Sequence, residues 1–230
     1  MKNKNQYLIF FFWVALLADC YLIYTQQESN RIFTKGALMP LLLAYFLTNA
    51  STRHHVPSKL LVVAALLLAW AGDLFLLLSG RGGFITGLLL FLVMHLFYII
   101  YFWRIQKLFP QKNPGNLVIP LAAVAIFDVL IMRTVLPLAG NLGTPLMAYM
   151  AVISLMFLMA CNVLGSKKAR SLAPQFFIPG AALFLLSDSI LGLNMFLWED
   201  FLIGIAVMLT YGYAQHLMVH GFIRHVKGRT

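Results

Sequence analysis

Charge is scarce in this 230-residue chain: 10% of its residues are Asp, Glu, Lys or Arg, whereas 61% are hydrophobic. Soluble domains are roughly a quarter charged and about half apolar, so a soluble enzyme, a disordered protein and a nucleic-acid binder are all disfavoured. Acids are the rarest class, seven against 17 Lys and Arg, which leaves a net charge of +10. Beside a mean hydropathy of +0.85, that excess fits basic loops flanking membrane spans, not a patch for nucleic acid. Cysteine is nearly absent. Cys20 and Cys161 both fall inside apolar runs, which excludes a disulfide framework. No small-x-small cleavage site follows the apolar run that begins at Tyr7, so a retained first helix is expected in place of a signal peptide. Asp19 spoils the lipoprotein-like Leu17-Ala18-Asp19-Cys20.

What the chain has in abundance is apolar length. Crossing a hydrocarbon core takes about 20 residues of helix, and eight runs qualify: 7–24, 36–50, 59–79, 84–103, 117–135, 144–163, 174–195 and 200–222. The expected fold is an all-α, polytopic transmembrane bundle of eight helices, with residues 1–230 as one domain. Trp103 and Trp198 stand at span ends, as interfacial anchors do. Orientation follows from the basic residues. One side collects thirteen, namely Lys2, Lys4, Arg53, Lys59, Arg104, Lys107, Lys112, Lys167, Lys168, Arg170, Arg224, Lys227 and Arg229. The other collects four, Arg31, Lys35, Arg81 and Arg133. The positive-inside rule then makes both termini cytoplasmic. Compact loops point to a bacterial inner membrane.

The two halves, 1–110 and 111–230, share features at matching places. Asp73 and Asp188 each follow a small residue and precede a leucine by three positions, Leu76 and Leu191. Pro40 and Tyr45 in the second span are echoed by Pro145 and Tyr149 in the sixth, and Asp19 in the first by Asp128 in the fifth. Four spans per unit would make this a parallel duplication, although apolar helices also resemble one another by composition alone.

Of the seven acids only Glu28, Glu199 and Asp200 fall in loops; Asp19, Asp73, Asp128 and Asp188 lie within spans. An Asp at the bilayer centre costs on the order of 3 kcal/mol on insertion scales, so each needs a partner or a purpose. One such Asp is ordinarily a structural hydrogen bond between helices. Four suggest that two are structural and two functional. At about 1.5 Å per residue, Asp73, His95, Asp188 and Tyr211 fall at compatible depths, in the middle to outer half of the membrane. Tyr98 and Gln215 lie one turn deeper on the faces of His95 and Tyr211, and Asn194 lies nearer the outer surface. Polar groups at one level predict a polar cavity in which one carboxyl serves as acid and another as carboxylate. His216 and His220 have the i, i+4 spacing of a metal pair but lack a third ligand nearby, and His54 and His55 read as solvated loop residues. No metal and no other cofactor is expected.

These motifs together resemble the lysoplasmalogenase (YhhN-like) membrane proteins. The segments that carry the resemblance are Ala71-Gly72-Asp73-Leu74, His95-Leu96-Phe97-Tyr98, Pro145 through Tyr149, Phe184-Leu185-Leu186-Ser187-Asp188, Leu191 to Asn194 with Phe196, and Tyr211 to Gln215. The family also has a lysine at the start of its second helix, usually with a proline close behind. Here Lys35 is followed by Gly36, and the nearest proline is Pro40. The resemblance implies hydrolysis of the vinyl ether bond of a lysoplasmalogen, giving a fatty aldehyde and glycerophosphoethanolamine or glycerophosphocholine, without a cofactor. Such a cleavage needs a protonated acid and a second carboxylate, which assigns Asp73 and Asp188 as the catalytic pair without deciding which is which, and His95, Tyr98, Tyr149, Asn194, Tyr211 and Gln215 as supporting groups. Lys35 and Arg81 would hold the lipid phosphate. Expected partners are a lysophospholipid substrate and the surrounding lipids, with no nucleic acid; a homodimer is left open. Two other readings of the same residues remain: a proton-coupled transporter of a small molecule or lipid that uses the intramembrane Asp residues, and a metal-dependent lipid hydrolase built on His216 and His220.

Overall fold

In lipid the backbone must satisfy its own hydrogen bonds, so apolar runs of this length become helices. The computed structural model describes residues 5–50, 56–78, 80–107, 115–198 and 200–228, and among them every regular element is helical. Lys2, Lys4, Arg53, His54, His55, Lys112, Glu199 and Arg229 lie outside the described residues. The α-helices are α1 (Gln6–Tyr24), α2 (Arg31–Asn49), α3 (Val56–Leu76), α4 (Arg81–Ile105), α5 (Gly115–Ala139), α6 (Gly143–Asn162), α7 (Ile178–Leu193) and α8 (Phe201–Val226).

Seven helical stretches are long and apolar enough to cross a membrane, against the eight separate runs expected. The difference lies in the fifth stretch, Leu117–Gly165, which holds both α5 and α6. A single 3-10 turn, Gly140–Leu142, joins them with no break in helical character. It nevertheless reverses the chain. Ser154 Oγ donates to Asp128 Oδ2 at 2.7 Å, whereas 26 residues of straight helix would separate them by about 39 Å.

Most helices begin earlier or end later than their apolar runs. The shift that matters most is in α2, which starts at Arg31 and not at residue 36, so Lys35 lies one turn inside it. Its first turn carries charge because Arg31 is itself neutralised, Nη2 lying 3.2 Å from Asp19 Oδ2 and Nη1 2.8 Å from Glu28 Oε2. The seventh helix is flanked by π-helical turns, Ala173–Phe177 before it and Asn194–Trp198 after it.

Packing pairs α1 with α2, α3 with α4, and α7 with α8, while α4 also lies on α6 and α1 on α8. The even-numbered helices run in one direction. Tyr101 near the end of α4 meets His225 at the end of α8, Asn162 closing α6 donates to Gln106 O, and Tyr45 late in α2 meets His220. Near that end the core is aromatic, with the Tyr101 and Phe222 ring centroids 4.4 Å apart and Phe102 5.1 Å from Phe177. Between helices in lipid the attraction is close packing, so small residues mark the tightest contacts. A Cβ on Gly221 would fall 2.5 Å from Phe177 Cε1, and one on Gly212 would fall 2.5 Å from Leu16 Cδ2. The apolar side chains left outside, Phe10, Leu17, Ile119 and Val129 among them, form the surface offered to lipid.

Candidate active site

Asp73 and Asp188 each sit in their own group of hydrogen bonds. Asp73, buried on α3, has Lys35 Nζ of α2 3.7 Å from Oδ1. Tyr211 of α8 donates its hydroxyl to Oδ2 at 2.9 Å. The i, i+4 spacing puts Gln215 on the same face as Tyr211; its Nε2 reaches the Tyr211 hydroxyl at 3.4 Å, and its Oε1 accepts from the Tyr98 hydroxyl at 3.0 Å. A buried chain thus runs from Lys35 through Asp73, Tyr211 and Gln215 to Tyr98. Gly72 makes room beside it, since a Cβ there would lie 3.0 Å from the Phe91 ring.

Asp188 of α7 has different company. Tyr149 of α6 donates its hydroxyl to Asp188 Oδ2. His95 Nε2 of α4 lies 3.3 Å from that same oxygen and 3.3 Å from the Tyr149 hydroxyl. Both partners converge on Oδ2, which leaves Oδ1 for other work. His95 is fully buried, and its Nδ1 has no hydrogen-bond partner. Ser187 beside the acid ties α7 to α8 by donating to Val207 O at 3.1 Å.

The polar cavity expected at one depth is therefore divided in two, and an aromatic residue stands at the division. The ring of Phe184 lies 5.3 Å from His95, 5.8 Å from Tyr211 and 6.2 Å from Tyr98. The two groups also mirror each other in connectivity. Asp73 on the third helix draws partners from the second and eighth; Asp188 on the seventh draws them from the sixth and fourth.

Two spaces adjoin these groups. Asp188, Tyr149 and Ser189 are the polar lining of an otherwise apolar chamber of about 40 Å³, walled by α3 to α7. Beside it a vestibule of about 410 Å³ is lined by Arg31, Lys35, Arg81, Glu28 and Asn194 among apolar groups. The chamber and the vestibule share Leu76, Phe84 and Leu191. Arg81 is exposed as the first residue of α4, and Asn194 Oδ1 accepts from the Asp200 backbone N–H at 2.9 Å, apart from both acids.

Arg31 is the vestibule residue that sequence reading did not single out. It forks onto Asp19, with Nε 3.2 Å from Oδ1, and Thr34 Oγ1 donates to the same oxygen at 2.9 Å. Its spacing from Glu28 and Lys35 along one helix face was the available signal. Asp19 is thereby committed to joining α1 to α2, and Asp128 to joining α5 to α6 through Ser154. His216 and His220 lie with ring centroids 4.3 Å apart and tilted by 35°, amid Phe12, Trp13, Tyr213 and Tyr45. Among the described residues no three His, Cys, Asp or Glu gather as metal ligands would.

A sequence profile of the YhhN family matches residues 30–222, from the last residue before α2 to late α8, and so takes in both acid groups and the vestibule cations. No curated protein and no solved structure gives a match. With most of its length and every residue of the candidate site inside that profile, the chain belongs to the YhhN family.

Proposed function

We propose that the protein is a lysoplasmalogenase, hydrolysing the vinyl ether of an alkenyl-glycerophosphoethanolamine or -choline within the membrane. One observation carries the reading: a carboxyl, Asp188, opens on an apolar chamber that adjoins a vestibule lined by three cations. That arrangement suits a molecule with a phosphate at one end and a hydrocarbon chain beginning a few atoms away. Family membership supports it.

The chemistry asks for two carboxyls. A vinyl ether is cleaved by protonating its β-carbon, which turns the α-carbon and ether oxygen into an oxocarbenium ion. Water adds to that α-carbon and gives up a proton, and the hemiacetal collapses to aldehyde and glycerol hydroxyl. Glycosidases divide two carboxyls over a similar cation. In this scheme Asp188 Oδ1 delivers the proton, while Tyr149 and His95 hold Oδ2. Asp73, on the far side of Phe184 from the chamber, is the second carboxylate in this scheme; its charge offsets the cation and draws off the proton that the added water releases. The Lys35 ammonium beside it and Arg81 meet the phosphate. Tyr98, Tyr211 and Gln215 fix Asp73, and Asn194 lines the route in. No metal and no organic cofactor takes part. Eight crossings, both termini on the cytoplasmic side, a bacterial inner membrane and the four-plus-four duplication belong to the same proposal, the last supported by the mirrored partners of the two acids.

The test is aldehyde release by purified protein given 1-alkenyl and 1-acyl lysophospholipids side by side, with Asp73→Asn and Asp188→Asn as controls. Aldehyde from the alkenyl lipid alone, lost in both variants, is the expected result. Fatty acid from the acyl lipid would replace the reading with another lipid hydrolase. No product from either would turn it to proton-coupled transport.

A further inference from the structure

We propose that a groove between the first turns of α4 and α6 is the lateral opening through which the hydrocarbon chain of a single-chain, phosphate-headed lipid reaches Asp188, with Phe84 as its gate; the inference rests on the reading above and adds the route and the chain site. The groove, of about 280 Å³, is lined by Leu88, Leu89 and Leu92 of α4 and by Thr144, Leu146 and Ala148 of α6, with Phe84 at its inner end. Leu89 and Ala148 are exposed on the outer, lipid-facing surface, whereas Phe84 and Leu146 are buried. The groove therefore runs from bilayer to interior.

Three spaces meet at one side chain. Phe84 lines the groove, the chamber of Asp188 and the cationic vestibule alike. Leu88 and Leu146 continue the groove into the chamber. The chamber's 40 Å³ is room for a few waters, since one needs about 10–15 Å³ measured in this way, and is too little for a chain. A chain can enter only when the Phe84 ring leaves. That ring meets Phe196 edge-on at 6.4 Å, in the π-helical turn after α7. The occupant follows from charge and count. Arg31 is offset by Asp19 and Glu28 and Lys35 by Asp73, so the vestibule cation left without an ion pair among the described residues is the exposed Arg81, which selects an anionic head. The groove meets that vestibule at Phe84, so a single chain in the groove and a head in the vestibule belong to one lipid.

The experiment uses lysophosphatidylethanolamine carrying a diazirine midway along a stearoyl chain, with full-length protein in lipid nanodiscs. After irradiation, adducts are expected on peptides holding residues 84–92 and 142–148. They should fall about tenfold in Ala148→Trp, which fills the groove, and persist in Met147→Trp, one residue away on the exposed face. Adducts confined to other helices, or unchanged by Ala148→Trp, overturn the gate. Kinetics supply a second arm. Ala148→Trp should raise KM for an octadecenyl lysolipid about tenfold yet leave hydrolysis of butyl vinyl ether as it was. Equal losses on both substrates would also overturn the gate. If wild-type protein releases no aldehyde at all, the hydrolase reading fails, while the adduct map still decides the groove.

Discussion

Trp70 donates its indole N–H to the carbonyl of Gly36 at 2.9 Å, and that carbonyl is the one Pro40 leaves without a donor. In an α-helix residue 36 accepts from the backbone of residue 40, but proline has no N–H to give. The tryptophan of α3 thus completes a bond missing from α2. Trp70 precedes Asp73 by three residues and Gly36 follows Lys35, so the same contact fixes the register in which Lys35 faces Asp73.

Trp70→Phe should lower thermal stability in detergent by about 1 kcal/mol, the usual net worth of one hydrogen bond. Pro40→Ala restores a backbone donor for Gly36. The tryptophan change should therefore matter less in a Pro40→Ala background. An undiminished effect there would show that the indole acts through packing alone.

Asp73 and Lys35 form a buried ion pair, and removing one member strands the other. Asp73→Asn is expected to destabilise by about 3–5 kcal/mol, with much of the loss recovered in the Asp73→Asn, Lys35→Met double variant. Melting curves of the three variants decide it. A double variant no more stable than Asp73→Asn would mean that the pair is not coupled.

On the Asp188 side, Tyr149→Phe removes a donor from Oδ2 while leaving the ring. Aldehyde release should drop by about a hundredfold, within the range for groups that take part in proton transfer, with KM little changed. A change confined to KM would make Tyr149 a binding group.

Arg81 is exposed, so its attraction for phosphate is screened by salt. Arg81→Ala should raise KM for the phosphorylated lysolipid several-fold at low ionic strength and by less at high. Hydrolysis of butyl vinyl ether should be unaffected. An equal effect on both substrates would remove Arg81 from phosphate binding.

Gly221 tests the aromatic core, because an added Cβ would lie 2.5 Å from Phe177 and 2.9 Å from Phe176 Cβ. Gly221→Ala should cost about 1–3 kcal/mol through overpacking, read as a lower melting temperature. Unchanged melting would mean that these rings yield freely.

The all-helical class and most helix positions were legible because twenty-residue apolar runs have one solution in lipid. The helix start at Arg31 was not, because a charged first turn reads as loop until Asp19 and Glu28 are known to face it. Depth counting placed His95, Asp188 and Tyr211 at one level, and spacing along α8 paired Tyr211 with Gln215. Which acid each joins depends on helix rotation and neighbour order, and the apolar runs are too uniform to reveal either. Phe184 stood in the motif that ends at Asp188, but its place between the two polar groups was hidden for the same reason, since the sequence does not say which way that helix face turns.

The fifth helix has a consequence of another kind. Ile119, Ile126 and Val129 of α5 are largely exposed, yet Ile131, Met132 and Val135 of the same helix wall the Asp188 chamber. One side of the Asp188 chamber is therefore a partition with the bilayer itself against its back. Lateral pressure and thickness of the membrane act on that partition directly, since a span adjusts its tilt to the hydrocarbon around it. Aldehyde release in vesicles of graded acyl-chain length should accordingly vary with bilayer thickness, and the membrane would tune the proposed activity as well as dissolve the protein.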